Sequence, residues 1–170
     1  MKYLLTAATV IFMGVIFCFS AQSADDSSEI SELVGYKVCT VFVQDFEEMD
    51  EVQQLELVEA VDFPVRKCAH GLEYMILAVL CTGTWLSWLS KKEYFSGKRI
   101  YLIFLLGWMT GLLYAVSDEV HQIFVPGRAC MIRDILIDAG GGAAGVIIFI
   151  IIYLSQKRRH QRSMSSSTGQ

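Results

Sequence analysis

Four apolar windows dominate this chain: Tyr3–Ser20, Cys68–Ser90, Ile100–Ser117 and Ile135–Leu154. Each approaches the ~20 residues that an α-helix needs to cross the hydrocarbon core of a bilayer. Inside a membrane the backbone must satisfy its own N–H and C=O groups, which makes a helix the spanning element for windows of this length. The composition agrees, since 54% of the 170 residues are hydrophobic, above the roughly 45–50% of an ordinary soluble domain. The expected fold class is therefore all-α, an integral membrane protein with four transmembrane helices.

Charge sets an orientation. Residues Ala24 to Asp62 carry twelve of the eighteen acids and one base, Lys37, whereas bases gather at Lys91, Lys92, Lys98 and Arg99 and again at Lys157, Arg158, Arg159 and Arg162. Excess Lys and Arg mark cytoplasmic segments, so both termini are expected inside and the acidic segment outside. The organisation that follows is a first transmembrane helix over 1–22, an acidic extracellular loop over 23–66, a three-helix membrane core over 67–154 and a basic, Ser-rich cytoplasmic tail over 155–170. The tail, from Lys157 onward, reads as disordered. The first window leaves two readings open. Its apolar stretch exceeds the about 7–15 residues of a signal peptide, whereas Ala21-Gln22-Ser23 resembles a cleavage site.

Within the acidic loop, Ser27, Ser28 and Ser31 among acids favour turn and helix-cap roles. Asp45 to Val61 shows a weak amphipathic pattern that predicts a short surface helix. Pro64 is expected to separate that helix from the second span and to open the span, because proline fits a first helical turn. The loop KKEYFSGKR makes spans two and three antiparallel neighbours. Five cysteines without a C-x-x-C give no disulfide framework. A Cys39–Cys130 bridge is conceivable but not favoured.

Three ionisable groups interrupt this apolar chain. On the second span Lys67, His70, Glu73 and Tyr74 share one helical face, with Glu73 about 9 Å along the axis from Lys67. The third span ends in SDEVHQIFVPGR, which places Asp118, Glu119, His121 and Gln122 on a helix end and presents Arg128 after Pro126-Gly127. The fourth opens RDILIDAGGGAAG, where Asp134 and Asp138 are four apart. Each group has a plainer reading as interhelical glue or a solvated helix end. However, all three fall at the outer end of their spans, and ionisable side chains at membrane depth must face protein or trapped water. One outward polar pocket accounts for them together. Gly141 and Gly145 read as a small-xxx-small helix contact.

Two chemistries suit such a pocket. Lys67 and Arg128 would clamp a phosphate while His70 or His121 acts as acid, base or nucleophile, oriented by Asp118 or Asp134. Alternatively His70, Glu73, His121 and an Asp would hold a divalent metal, although the spacing matches no standard metal motif. No metal is assigned, the cofactor stays open, and no nucleic-acid motif is present.

The patterns R-K-x-x-H-x-x-E-Y from Arg66, S-D-E-x-H-Q-x-F-x-P-G-R from Ser117 and R-D-x-x-x-D-x-x-G from Arg133 together resemble the VanZ-like family, named for a teicoplanin-resistance protein of Gram-positive bacteria. IFCFSAQSADDSSEIS resembles the stretch that follows the first span in many members, so the likeness covers roughly residues 10–152. The resemblance implies a retained first span and a cell-envelope role that lowers susceptibility to teicoplanin-type glycopeptides. It also implies a shared site over Lys67, His70, Glu73, Tyr74, Asp118, Glu119, His121, Gln122, Arg128, Asp134 and Asp138. Asp138 stands where many members carry Asn, and the family supplies no defined reaction.

Three functions compete at this level. The first is an envelope protein that binds or acts on a membrane lipid, a lipid-linked envelope ligand or a lipoglycopeptide. The second is an enzyme that hydrolyses or transfers a phosphate-bearing lipid headgroup, with His70, Glu73, Asp118, His121 and Asp134 as catalytic candidates and Lys67, Tyr74, Glu119, Gln122, Arg128 and Asp138 as substrate contacts. The third is a non-catalytic structural or sensory protein. The oligomeric state is left open.

Overall fold

A computed structural model describes residues 1–89 and 98–167, with side chains over 1–89 and 100–159. The expected loop KKEYFSGKR lies outside the described residues, apart from the backbone of Lys98 and Arg99. The elements are α1 (Lys2–Ser20), α2 (Ala24–Phe42), a single 3-10 turn (Phe46–Glu48), α3 (Glu51–Leu89), α4 (Lys98–Gln122) and α5 (Ile132–Ser167). No strand occurs among the described residues.

Four of these helices contain windows long and apolar enough to cross a membrane: Lys2–Ser20, Glu51–Leu89, Ile100–Gln122 and Ile132–Arg159. Their large apolar side chains point outward as well as inward. Leu4 and Ile11 on α1, Leu105 and Leu113 on α4, and Ile147 and Ile151 on α5 are all exposed. Such an apolar exterior suits lipid, which solvates hydrocarbon and leaves the backbone to bond within each helix.

Helix α3 is the centre, packed against all four other α-helices. Ile16 of α1 meets Tyr74, Leu77 and Cys81 of α3 and Ala115 of α4 in one buried cluster, while Ala78, Phe104 and Val146 join α3, α4 and α5 in another. Hydrogen bonds tie the helices as well as packing does. Tyr114 donates to the Met13 carbonyl at 2.6 Å, Trp108 to the Ala139 carbonyl at 2.9 Å, and the Thr9 and Thr84 hydroxyls pair at 2.9 Å. The expectation for Gly141 and Gly145 holds. A Cβ at Gly141 would collide with the Gly71 carbonyl and one at Gly145 with the Met75 carbonyl, so α3 and α5 cross backbone to backbone.

The acidic segment differs from the reading as a loop with one short helix. It forms an antiparallel hairpin in which α2 lies along the first half of α3. Ser23, and not Ser27, Ser28 or Ser31, is the N-cap of α2. Its hydroxyl accepts from the Asp26 amide at 3.1 Å, and Asp25 and Asp26 sit in the positive first turn. The hairpin has its own core of Cys39, Phe46 and Val58. Gln54 clamps the connecting turn by donating to the Phe46 and Met49 carbonyls at 2.9 and 3.2 Å. All five cysteines are free, with Cys39 buried and Cys130 exposed.

Pro64 does not open the second span. It lies inside the 39-residue α3. Proline costs a helix one backbone bond and a steric clash, but contacts on both sides hold this helix together. Val58 and Val61 pack against α2 on one side of the proline, and the Asp62–Arg66 ion pair bridges it. The tail also departs from expectation, since α5 continues to Ser167. Lys, Arg and Gln are good helix formers and extend a helix already nucleated by the span.

Candidate functional site

The site forms where the ends of four helices meet one level of α3. The α4–α5 turn is fixed first. Gly127 adopts φ +74°, and a Cβ there would lie 2.8 Å from that of Ala24. Glycine therefore meets two demands at once, a left-handed backbone and a close approach. The Ala24 amide donates to the Pro126 carbonyl at 3.2 Å, locking the start of α2 onto this turn. Glu119 accepts from the Met131 amide at 2.9 Å, placing a carboxylate at the positive N-terminus of α5.

Lys67 Nζ meets Asp134 Oδ2 at 2.5 Å, an ion pair whose side chains are 19% and 15% exposed. Arg133 Nε approaches the other carboxylate oxygen at 3.7 Å. His70 Nδ1 lies 3.7 Å from Glu73 Oε2, beyond hydrogen-bond distance. Gln122 donates to Ser20 Oγ at 3.0 Å and to Asp118 Oδ2 at 3.4 Å, linking α4 to the end of α1.

Two adjoining cavities open against these groups. One, of about 240 Å³, is lined by four cationic side chains, Arg66, Lys67, Arg128 and Arg133, and by one carboxylate, Asp134, with His70 and Gln122 beside them. The other, of about 190 Å³, is lined by Phe19, Ile30, Val34, Val65 and Ala69 together with Glu73. Ser27, Arg66, His70 and Arg128 belong to both walls. Lys67 is matched by Asp134, and Arg66 by Asp62, but Arg128 Nε is buried without a hydrogen-bond partner. Burial lowers the Arg128 guanidinium from its ordinary pKa, with the charge of Asp118 opposing the shift. A desolvated donor of this kind gains strongly from an anion.

Behind the cavities lies a buried polar layer. Tyr74, Asp118, Glu119, Gln122 and Asp138 are all buried. One oxygen each of Asp118 and Asp138 lacks a hydrogen-bond partner, and the Tyr74 hydroxyl is set against Asp118. Asp118 is within electrostatic reach of His70, Glu73, Tyr74, Arg128 and Asp138, which makes it the common neighbour of the site.

The residues expected from the sequence thus fall into three groups. Lys67, His70, Gln122, Arg128 and Asp134 line the cationic cavity, and Glu73 lines the apolar one. Tyr74, Asp118, Glu119 and Asp138 form the layer behind. His121 stands apart, lining neither cavity, with its ring 4.6 Å from that of Phe17 on α1. Among the described residues no group of three or more His, Cys, Asp or Glu side chains is placed to hold a metal ion. Arg66 and Ser27 were not among the candidates. Arg66 carried a signal in the i, i+4 spacing from Asp62, whereas Ser27 depends on where α2 docks, which no local pattern reveals.

An all-helical chain with four bilayer-length apolar helices is a multi-pass membrane protein. The family model described as VanZ/LLP1 matches residues 5–153, and the chain belongs to that family. Comparison with curated proteins and with solved structures finds no match.

Proposed function

We propose that this chain is a cell-envelope protein with both termini cytoplasmic, whose cleft faces outward and binds the anionic head of a lipid or lipid-linked envelope ligand. The basic groups at Lys91–Arg99 and Lys157–Arg162 support that orientation. Ile16, buried in the bundle core, supports retention of α1 in the working protein. The observation that carries the reading is Arg128. It holds an unpartnered, buried guanidinium nitrogen on the wall shared by a cationic and an apolar cavity. An amphiphile with a phosphate-like head suits that wall, because the head gains charge-assisted hydrogen bonds and the chain keeps apolar surface from water. Membership of the family supports lowered susceptibility to teicoplanin-type glycopeptides as the physiological outcome, with a lipoglycopeptide or its lipid-linked target as the ligand.

The test is binding of a short-chain phosphatidic acid and of its phosphocholine counterpart to the protein in neutral nanodiscs. Preference for the anionic lipid, lost in Arg128→Gln, is expected. Equal affinity for the two lipids would defeat the reading. Teicoplanin and vancomycin susceptibility of a Gram-positive host expressing wild type or Arg128→Gln tests the physiological half.

A second reading, an enzyme acting on a phosphate-bearing headgroup, is favoured by the buried Asp118, with one oxygen unpartnered and Tyr74 beside it, behind His70. His70, on the wall of both cavities, would exchange a proton with a bound head, with Asp118 behind it. It requires phosphate release that His70→Ala and Asp118→Asn abolish while the protein stays folded.

A further inference from the structure

The α2–α3 hairpin carries a second concavity of about 480 Å³ that shares no lining residue with the two cavities of the cleft. Leu33, Tyr36, Leu55 and Val58 supply its apolar surface, and Glu29, Glu32 and Glu51 its carboxylates. Leu33 and Leu55 are 70% and 54% exposed, although the hairpin already holds a closed core on Cys39, Phe46 and Val58. Cohesion of the hairpin therefore does not account for the groove. Nor does lipid account for it. From Lys67 back to Glu51 the helix extends about 24 Å beyond the level where the charged cluster begins, and the surrounding segment Ala24–Asp62 holds twelve acids against Lys37.

We propose that this groove docks a basic amphipathic helical segment of a partner protein. Leucine-sized anchors spaced three and four apart would fill the space between Leu33 and Leu55, and flanking Lys or Arg would meet Glu29, Glu32 and Glu51. Charge complementarity selects this occupant. A second copy would bring acids against acids, and an anionic membrane surface would be repelled in the same way. Of the chain's own bases, Arg66, Lys67, Arg128 and Arg133 line the cleft and none of them lines the groove.

The experiment uses the full chain in neutral nanodiscs and a synthetic peptide of about 18 residues, long enough to be helical when bound, with Leu at helical spacing and Lys elsewhere. A scrambled peptide of equal composition is the control. The helical peptide is expected to bind at least about tenfold more tightly than the scrambled one. The triple change Glu29→Gln, Glu32→Gln, Glu51→Gln should weaken it by about tenfold, as the loss of three exposed ion pairs implies. Leu33→Ser with Leu55→Ser should weaken it similarly while far-ultraviolet circular dichroism is unchanged. Amide protection on binding should appear within 29–36 and 51–58. Equal affinity for the two peptides, protection elsewhere, or peptide-free dimerisation that shields Leu33 would overturn the proposal.

Discussion

Replacing Lys67 by Met removes the cation from the most enclosed ion pair of the cleft and leaves Asp134 behind. Removing one member of a fully buried pair costs about 3–5 kcal/mol, because the remaining charge stays desolvated. Here the side chains are 19% and 15% exposed and Arg133 Nε stands 3.7 Å from the second oxygen, so the expected loss is smaller, about 2–3 kcal/mol. The converse change, Asp134→Asn, leaves a flexible lysine that can turn its ammonium toward water and the Phe63 ring, 5.5 Å away. Its expected cost is about 1–2 kcal/mol. The double variant carries no orphaned charge and should lie within about 1 kcal/mol of wild type, a strongly non-additive cycle. Unfolding in detergent followed by tryptophan fluorescence reads the cycle, since Trp108 bonds the Ala139 carbonyl across α4 and α5. Additive single effects, or a neutral Lys67→Met, would refute the pair as a structural unit.

Other outcomes follow from separate contacts. Gly141→Val should destabilise by ~2–3 kcal/mol or prevent assembly, since overpacking here presses on the Gly71 backbone; the monodisperse fraction in size-exclusion chromatography checks it. Trp108→Phe should cost about 1 kcal/mol by leaving the Ala139 carbonyl unpaired, read by detergent unfolding followed by far-ultraviolet circular dichroism, since the variant removes the fluorescent reporter. Asp62→Ala should loosen the Ser31 end of α2 from α3, and amide exchange over 24–31 would then speed up without a comparable fall in the unfolding midpoint of the spans. Arg128→Gln should weaken short-chain phosphatidic acid binding by roughly tenfold, the scale of a lost charge-assisted hydrogen bond, with little change in stability.

The membrane helices were legible because their signal is local. About 20 apolar residues in sequence already state both the element and its environment, and the glycines at 141 and 145 announced a close crossing by their spacing alone. The ionisable groups were legible for a related reason: a charge inside such a window has few places to go. What the sequence did not reveal depends on partners distant along the chain. Helix α2 opens polar and acidic, and its helicity rests on the Ser23 cap and on packing against Val58 and Val61 of α3. His121 lies one residue before Gln122, which lines the cleft, yet its own ring packs against Phe17 of α1. Pro64 carried a stop signal that tertiary contacts overrode.

Asp62 joins these two levels of legibility. Its carboxylate accepts the Ser31 hydroxyl of α2 and also pairs with Arg66 one turn further along α3. Arg66 in turn lines both cavities and approaches Ser28 Oγ at 3.4 Å. One carboxylate beside the proline therefore couples the seating of α2 to the direction of a cationic wall. A hairpin that shifted by even a fraction of a helical turn could not keep both bonds, because hydrogen bonds weaken steeply with distance and angle. The acidic hairpin is thus more than a decoration of the membrane core. It supplies Ser27, Ile30 and Val34 to the cleft, and through Asp62 it governs how Arg66 meets whatever anion the cleft receives.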